Sequence, residues 1–213
     1  PEPTKPAPSY VVVPESDRVD ESYFSNGTLF IGDSLTTGLP LYHVINSSFY
    51  CVESISTYNI LTSRFIDRDG VMLTLPEALS SDGNKWKRIY IQLGVNEIWS
   101  TADSFAGGYG KLIDALKTYC PDATIYVQSV FPMTESASSG TYSQYGGNAK
   151  LREFNSKLIE LCTKRGLYYV NVYEILDDGT GALNASYAGS DGVHIPPSTY
   201  KLWVDYLFTH TAK

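Results

Sequence analysis

TLFIGDSLTTG, residues 28–38, is a short β-prone run that stops abruptly at a Gly-Asp-Ser triplet and passes into a helical stretch. Runs of the same kind recur as FYCVESI (49–55), RIYIQLG (88–94), TIYVQSV (124–130) and LYYVNV (167–172). Helical segments separate them. SFAGGYGKLIDALKTYC (104–120) sets Leu112, Ile113 and Leu116 at helical spacing and ends against Pro121. NAKLREFNSKLIELCTKRG (148–166) puts Leu151, Phe154, Leu158, Leu161 and Cys162 on one stripe, with Asn148 as N-cap and Gly166 as the stop. A last helix is expected over 197–209, turning Tyr200, Trp203, Val204 and Leu207 inward. Strands alternating with helices predict a flavodoxin-like, three-layer α/β/α sandwich around a central parallel sheet of about five strands.

The 213 residues, 43% hydrophobic, suffice for one sizeable core, so a single domain over 25–213 is expected behind a Pro-rich extended linker, residues 1–24. Pro1, Pro3, Pro6 and Pro8 preset φ and remove donors, which favours a solvated segment. Such a start suits a stalk inside a removed signal peptide or a surface anchor upstream, hence an extracellular or cell-surface location, and equally suits an ordinary linker. The formal net charge of -7 repels phosphate backbones and anionic lipid, so no nucleic-acid partner is expected. No apolar run approaches the roughly 20 residues of a bilayer-spanning helix. Cys51, Cys120 and Cys162 lack CxxC spacing and sit in or beside apolar segments, which reads as buried, unreactive thiols, with one bridge left open.

At the carboxyl end of a parallel strand, Ser34 would project into the ligand crevice. Gly32-Asp33-Ser34 also reads as an ordinary turn with Ser34 capping a helix. A serine hydroxyl needs a base to become a nucleophile. Of the three histidines, His43 lies early and His210 close to a terminus where fraying is expected. His194 lies in GSDGVHIPPSTY with Asp191 three positions before it, close enough in a single turn for the carboxylate to orient the imidazole; a loop Asp capping its own turn is the alternative. Asn96, after the strand ending at Gly94, could offer an amide to a tetrahedral oxyanion or could bond its own backbone. There is no G-x-S-x-G elbow, metal-binding spacing or Gly-rich phosphate loop, and no metal or other cofactor is expected.

Gly32-Asp33-Ser34-Leu35, Gly94-Val95-Asn96-Glu97 and Asp191-Gly192-Val193-His194, in that order, together resemble the SGNH (GDSL-type) hydrolase superfamily over about residues 25 to 210. The resemblance implies a serine esterase with Ser34 as nucleophile, His194 as general base and then acid, and Asp191 orienting it. Its oxyanion donors would be the Ser34 N–H, the Asn96 side chain and the N–H of a glycine after the second strand. CVESISTYNI has no glycine, and Thr57 is the best-matching position. Glu97 stands where the family has Asp and is expected to support the loop. Asp33 and Trp99 are candidate substrate contacts; Trp99 and the Tyr142/Tyr145 loop could wall the crevice, or Trp99 could plug the core. The expected substrate is a small-molecule or glycan ester with a short acyl group. The alternatives are an acyltransferase using the same residues, or a surface glycan-binding module of little or no activity.

Overall fold

A computed structural model describes residues 11–212 of the chain. From the amino terminus it runs α1 (Ser22–Ser25), β1 (Thr28–Gly32), α2 (Ser34–Leu41) and β2 (Ser48–Cys51). A hairpin, β3 (Arg64–Arg68) and β4 (Val71–Thr74), leads into α3 (Leu75–Asp82) and β5 (Arg88–Gln92). Then follow α4 (Ala102–Tyr119), β6 (Thr124–Gln128), α5 (Glu135–Ser139), α6 (Gly147–Arg165), β7 (Tyr168–Val170), α7 (Tyr173–Leu176) and α8 (Pro197–Thr209).

Strands β2, β1, β5, β6 and β7, in that spatial order, make one five-stranded parallel sheet. The chain leaves β1 for β2 on one side and returns to β5 on the other, so a crevice opens at the carboxyl ends of β1 and β5. Side-chain alternation sorts the apolar residues into two cores. Leu29, Ile31, Ile89, Ile91, Ile125 and Val127 pack with residues of α3, α4 and α6. Phe30, Tyr90, Tyr126 and Val170 pack with residues of α1, α2 and α8.

On the second face every strand contributes one ring to a ladder, Phe49–Phe30–Tyr90–Tyr126–Tyr168, with centroid spacings of 5.6, 5.1, 4.3 and 5.3 Å. Each neighbouring pair is also a register pair. Stacked rings contribute roughly 0.5–1.5 kcal/mol per pair beyond their buried area, so a slipped strand loses its ring contacts as well as its buried face.

The expected sandwich is therefore the observed one, with corrections at several boundaries. The 49–55 run leaves the sheet after Cys51, because the chain turns through Ser54 at φ 62°. Asn148 is not an N-cap: α6 starts at Gly147 behind Gly146, whose φ is 94°, and the Asn148 side chain turns inward to bond the Met133 N–H and C=O at 2.9 and 2.8 Å. The β3–β4 hairpin and α3 were not expected. They are fastened by Asp82, whose buried carboxylate accepts from Tyr50, Arg68, Lys85 and Trp86.

Residues 11–24 are a further correction, since they are packed on the domain instead of forming a solvated linker. Val12 bridges Tyr169 in parallel, the Val13 N–H donates to Tyr169 O at 2.9 Å, and the N–H groups of Ser16 and Val19 reach the carbonyls of Thr209 and Phe208. Val13 and Phe24 are buried. The open edge of β7 is the physical reason, because it offers backbone partners to a β-prone Val-Val-Val run. Residues 1–10 of the expected linker lie outside the described residues. His210, expected to fray, is buried and stacked on Tyr206 at 3.6 Å. Cys120 and Cys162 are buried free thiols, pushed up to about 11 and about 12 by desolvation. Among the described residues no helix is long and apolar enough to cross a membrane.

Candidate active site

Gly32 ends β1 where a side chain could not fit: a Cβ there would lie 2.0 Å from Thr36 Oγ1 and 2.5 Å from Gln92 O. The chain can then turn tightly into α2. Asp33, not Ser34, is the N-cap, its Oδ1 accepting from the Leu35 N–H at 3.0 Å. Ser34 is thus the first helical residue, and its N–H belongs to the first turn, which has no intrahelical acceptor and lies at the positive end of the helix dipole.

Ser34 Oγ lies 2.9 Å from His194 Nε2, and His194 Nδ1 lies 2.5 Å from Asp191 Oδ2. The other oxygen of Asp191 accepts from the N–H groups of Val193 and His194, both at 2.9 Å. The turn-capping and imidazole-orienting readings of Asp191 therefore hold together, one per oxygen. Partial desolvation opposes ionisation of Asp191, but the His194 imidazole and these two N–H groups outweigh it and hold its pKa at about 2. Gly192, at φ 74°, makes the loop possible, and Thr134 N–H bonds its carbonyl at 2.8 Å, anchoring the loop to the segment after β6.

The pair Ser34–His194 opens into a cavity of about 380 Å³. Leu41, Tyr42, Ile195 and Tyr200 give it an apolar wall, while Glu53, Ser54 and Asn96 give it a polar one. Tyr200 ties α8 to α2: its hydroxyl donates to Leu35 O at 2.8 Å, and its ring lies so close to Gly38 that a Cβ there would come within 2.1 Å. Asn96 stands on the single 3₁₀ turn Val95–Glu97 after β5, with Nδ2 donating to Ile55 O at 3.0 Å.

Two sequence-derived candidates are displaced. Thr57 is buried, its N–H donates to Glu97 Oε1 and its hydroxyl to Glu97 Oε2 at 3.1 Å, so that N–H is not available to an oxyanion. Ser54 was missed. It lies three residues beyond the end of β2, lines the cavity, and at φ 62° holds the left-handed conformation that glycine favours. Asp33 is fully buried and cannot touch substrate; burial pushes its carboxyl up to about 7 against the Leu35 hydrogen bond. Glu97 is likewise raised to about 7 by burial, opposed by the two Thr57 hydrogen bonds.

Trp99 does not plug the core. It is 59% exposed, donates Nε1 to Asn96 O at 3.0 Å, and lies against Tyr58, itself 50% exposed, at a centroid distance of 5.1 Å. Tyr142 packs against the first core, and none of Trp99, Tyr142 and Tyr145 lines the cavity. Among the described residues no group of three or more His, Cys, Asp or Glu side chains is placed to hold a metal ion.

The model of the GDSL-like lipase/acylhydrolase family matches residues 30–202, a span that contains the serine, asparagine and histidine blocks. The chain belongs to this family. GDSL-family membership makes it an ester hydrolase, as the three sequence blocks implied. The same fold recurs in a Streptococcus pneumonia protein (TM-score 0.67, 21% identity, covering 87% of this chain and 84% of that one). It recurs in a GDSL-like lipase of Bacteroides thetaiotaomicron (TM-score 0.63, 17% identity, 87% and 85% coverage). A carbohydrate acetylesterase of Sinorhizobium meliloti also shares it (TM-score 0.60, 19% identity, 85% and 95% coverage). A search of curated proteins gave no match.

Proposed function

We propose that this GDSL-family hydrolase is a serine carboxylic-ester hydrolase acting on short-acyl esters of carbohydrates. The observation that carries the reading is the unbroken Ser34–His194–Asp191 hydrogen-bond chain opening into the cavity that Asn96 also lines. His194 Nε2 takes the Ser34 proton as Oγ attacks the ester carbonyl, and Asp191 stabilises the imidazolium. The oxyanion is held by the N–H groups of Ser34 and Ser54 and by the Asn96 amide. Collapse expels the alcohol, protonated by His194, and leaves an acyl group on Ser34. A water, deprotonated by His194, then releases the acid and restores the serine.

The short apolar wall of Leu41, Tyr42, Ile195 and Tyr200 supports a small acyl group over a long chain. Glu53 in the cavity and the net charge of -7 disfavour anionic substrates. The carbohydrate acetylesterase among its fold neighbours adds support for a sugar alcohol. The test is hydrolysis of 4-nitrophenyl acetate, butyrate and octanoate by the wild type and by Ser34→Ala with folding checked. Expected is a preference for acetate and butyrate, with kcat/KM lowered on the order of 10⁴-fold or more in the variant. Activity that survives in Ser34→Ala would overturn the mechanism, and an octanoate optimum would overturn the short acyl group.

A further inference from the structure

We infer that Tyr58 and Trp99, which lie outside the cavity lining but are joined to it through Asn96, form a carbohydrate-stacking platform beside the active site, a subsite for a sugar ring of the ester's alcohol. The inference rests on the carbohydrate-ester reading above.

Both rings are half or more exposed, and they lie against each other at 5.1 Å with 31° between their planes. The two rings together make one contiguous aromatic patch, and apolar patches rimmed by polar groups are the surfaces on which ligands and partners bind. The indole N–H of Trp99 is already committed to Asn96 O, so what it presents to solvent is hydrocarbon and π surface. A pyranose ring is complementary to such a surface. Its axial C–H groups form an apolar face for stacking, while its equatorial hydroxyls point outward to polar acceptors.

Position links this platform to the chemistry. Trp99 is hydrogen-bonded to the backbone of Asn96, whose side chain lines the cavity with Ser34 and His194. Tyr58 follows Thr57, which is clamped by Glu97 at the end of the same 3₁₀ turn. The two rings therefore stand on the two segments joined by the contact of Asn96 Nδ2 with Ile55 O, beside the cavity that Asn96 lines. The Trp99 indole, held by its own hydrogen bond, has little conformational freedom left to lose on binding. The segment carrying Tyr58 also carries Glu53 and Ser54 into the cavity. A carboxylate and a hydroxyl there can accept sugar hydroxyls, and the carboxylate repels phosphate or carboxylate headgroups. The cavity's apolar wall comes from other residues, Leu41, Tyr42, Ile195 and Tyr200, which leaves the acyl group a place of its own.

The experiment compares 4-nitrophenyl acetate with partially acetylated xylo-, manno- and chito-oligosaccharides as substrates of the wild type, Tyr58→Ala, Tyr58→Phe, Trp99→Ala and Trp99→Phe. For the best oligosaccharide, the alanine variants should lose about tenfold or more in kcat/KM through a raised KM, and should lose at least several-fold less on the nitrophenyl ester. The phenylalanine variants, which keep a ring, should recover most of the loss. Equal losses on both substrate types, no loss on the oligosaccharide, or Ser34-dependent nitrophenyl esterase without activity on any oligosaccharide would overturn the platform. Nitrophenyl esterase activity independent of Ser34 would instead remove the underlying mechanism.

Discussion

In the 189–194 loop, the two oxygens of Asp191 do different work, and substitutions can separate them. Asp191→Asn keeps an acceptor for the Val193 and His194 N–H groups but can set the wrong histidine tautomer, so kcat should fall on the order of 10³–10⁴-fold with little change in melting temperature. Steady-state kinetics beside a thermal melt checks this. Ser54 allows the opposite experiment, since a backbone N–H survives substitution and only its direction matters. Ser54→Gly should keep full activity because glycine prefers the φ of 62°, whereas Ser54→Val should lower kcat by about 10-fold or more because a β-branched residue resists that conformation. Equal activity in the glycine and valine variants would remove Ser54 from the oxyanion site. Asn96→Ala, which deletes a side-chain donor, should cost on the order of 100-fold in kcat.

The turn Val95–Glu97 holds two walls of the site together at two points, Asn96 to Ile55 O and Glu97 to Thr57. Glu97 is a carboxylate with no solvent, and its pKa near 7 carries a consequence for stability. An acid raised by folding keeps its proton in the native chain at pH values where the unfolded chain has lost it. It therefore stabilises the fold at and below the ordinary carboxylate range, and that contribution declines as pH rises from about 4 to about 7, then levels off. Asp33, raised to about 7 in the same way, adds to the slope. Urea midpoints should drop between pH 5 and pH 8 in the wild type, and Glu97→Gln should flatten part of that drop by up to ~3 kcal/mol. An unchanged pH slope in Glu97→Gln would mean that the carboxylate does not titrate there. In the sheet, Tyr90 is the middle ring of the ladder and fully buried. Tyr90→Ala should cost about 3–5 kcal/mol in urea unfolding.

Across the whole molecule, residues 11–19 strap the free edge of β7 to the end of α8. Removing residues 1–19 should lower the melting temperature and promote self-association through the uncovered edge, read by size-exclusion chromatography. An unchanged melt and a monomeric profile would show the strap to be dispensable. The overall architecture was legible because its signal is local and repeated. Each β-prone run, each helical stripe and the Gly166 and Pro121 stops follow from backbone preference and periodicity within a few residues. Ser34, His194 and Asp191 were legible only in combination: strand-end position and D-x-x-H spacing left turn-forming alternatives open, and the three blocks together, through their resemblance to the family, paired a serine with a histidine 160 positions away. Thr57, Asn148 and the linker boundary were not, because each depended on a partner outside its own segment, and Asp33 was not, because its burial is set by the surrounding fold. Glu97 reaches Thr57 across 40 positions, the strap finds β7 from the other end of the sequence, and Asn148 turns to Met133. The sequence by itself thus determined the sandwich and, through its three blocks, the family and the candidate serine, histidine and aspartate, whose hydrogen bonds the fold then supplied. Only the tertiary structure decided that the Thr57 N–H is taken by Glu97, which carboxylates are buried and which aromatics stay open to solvent, since burial and long-range hydrogen bonds are properties of neighbours brought together by folding.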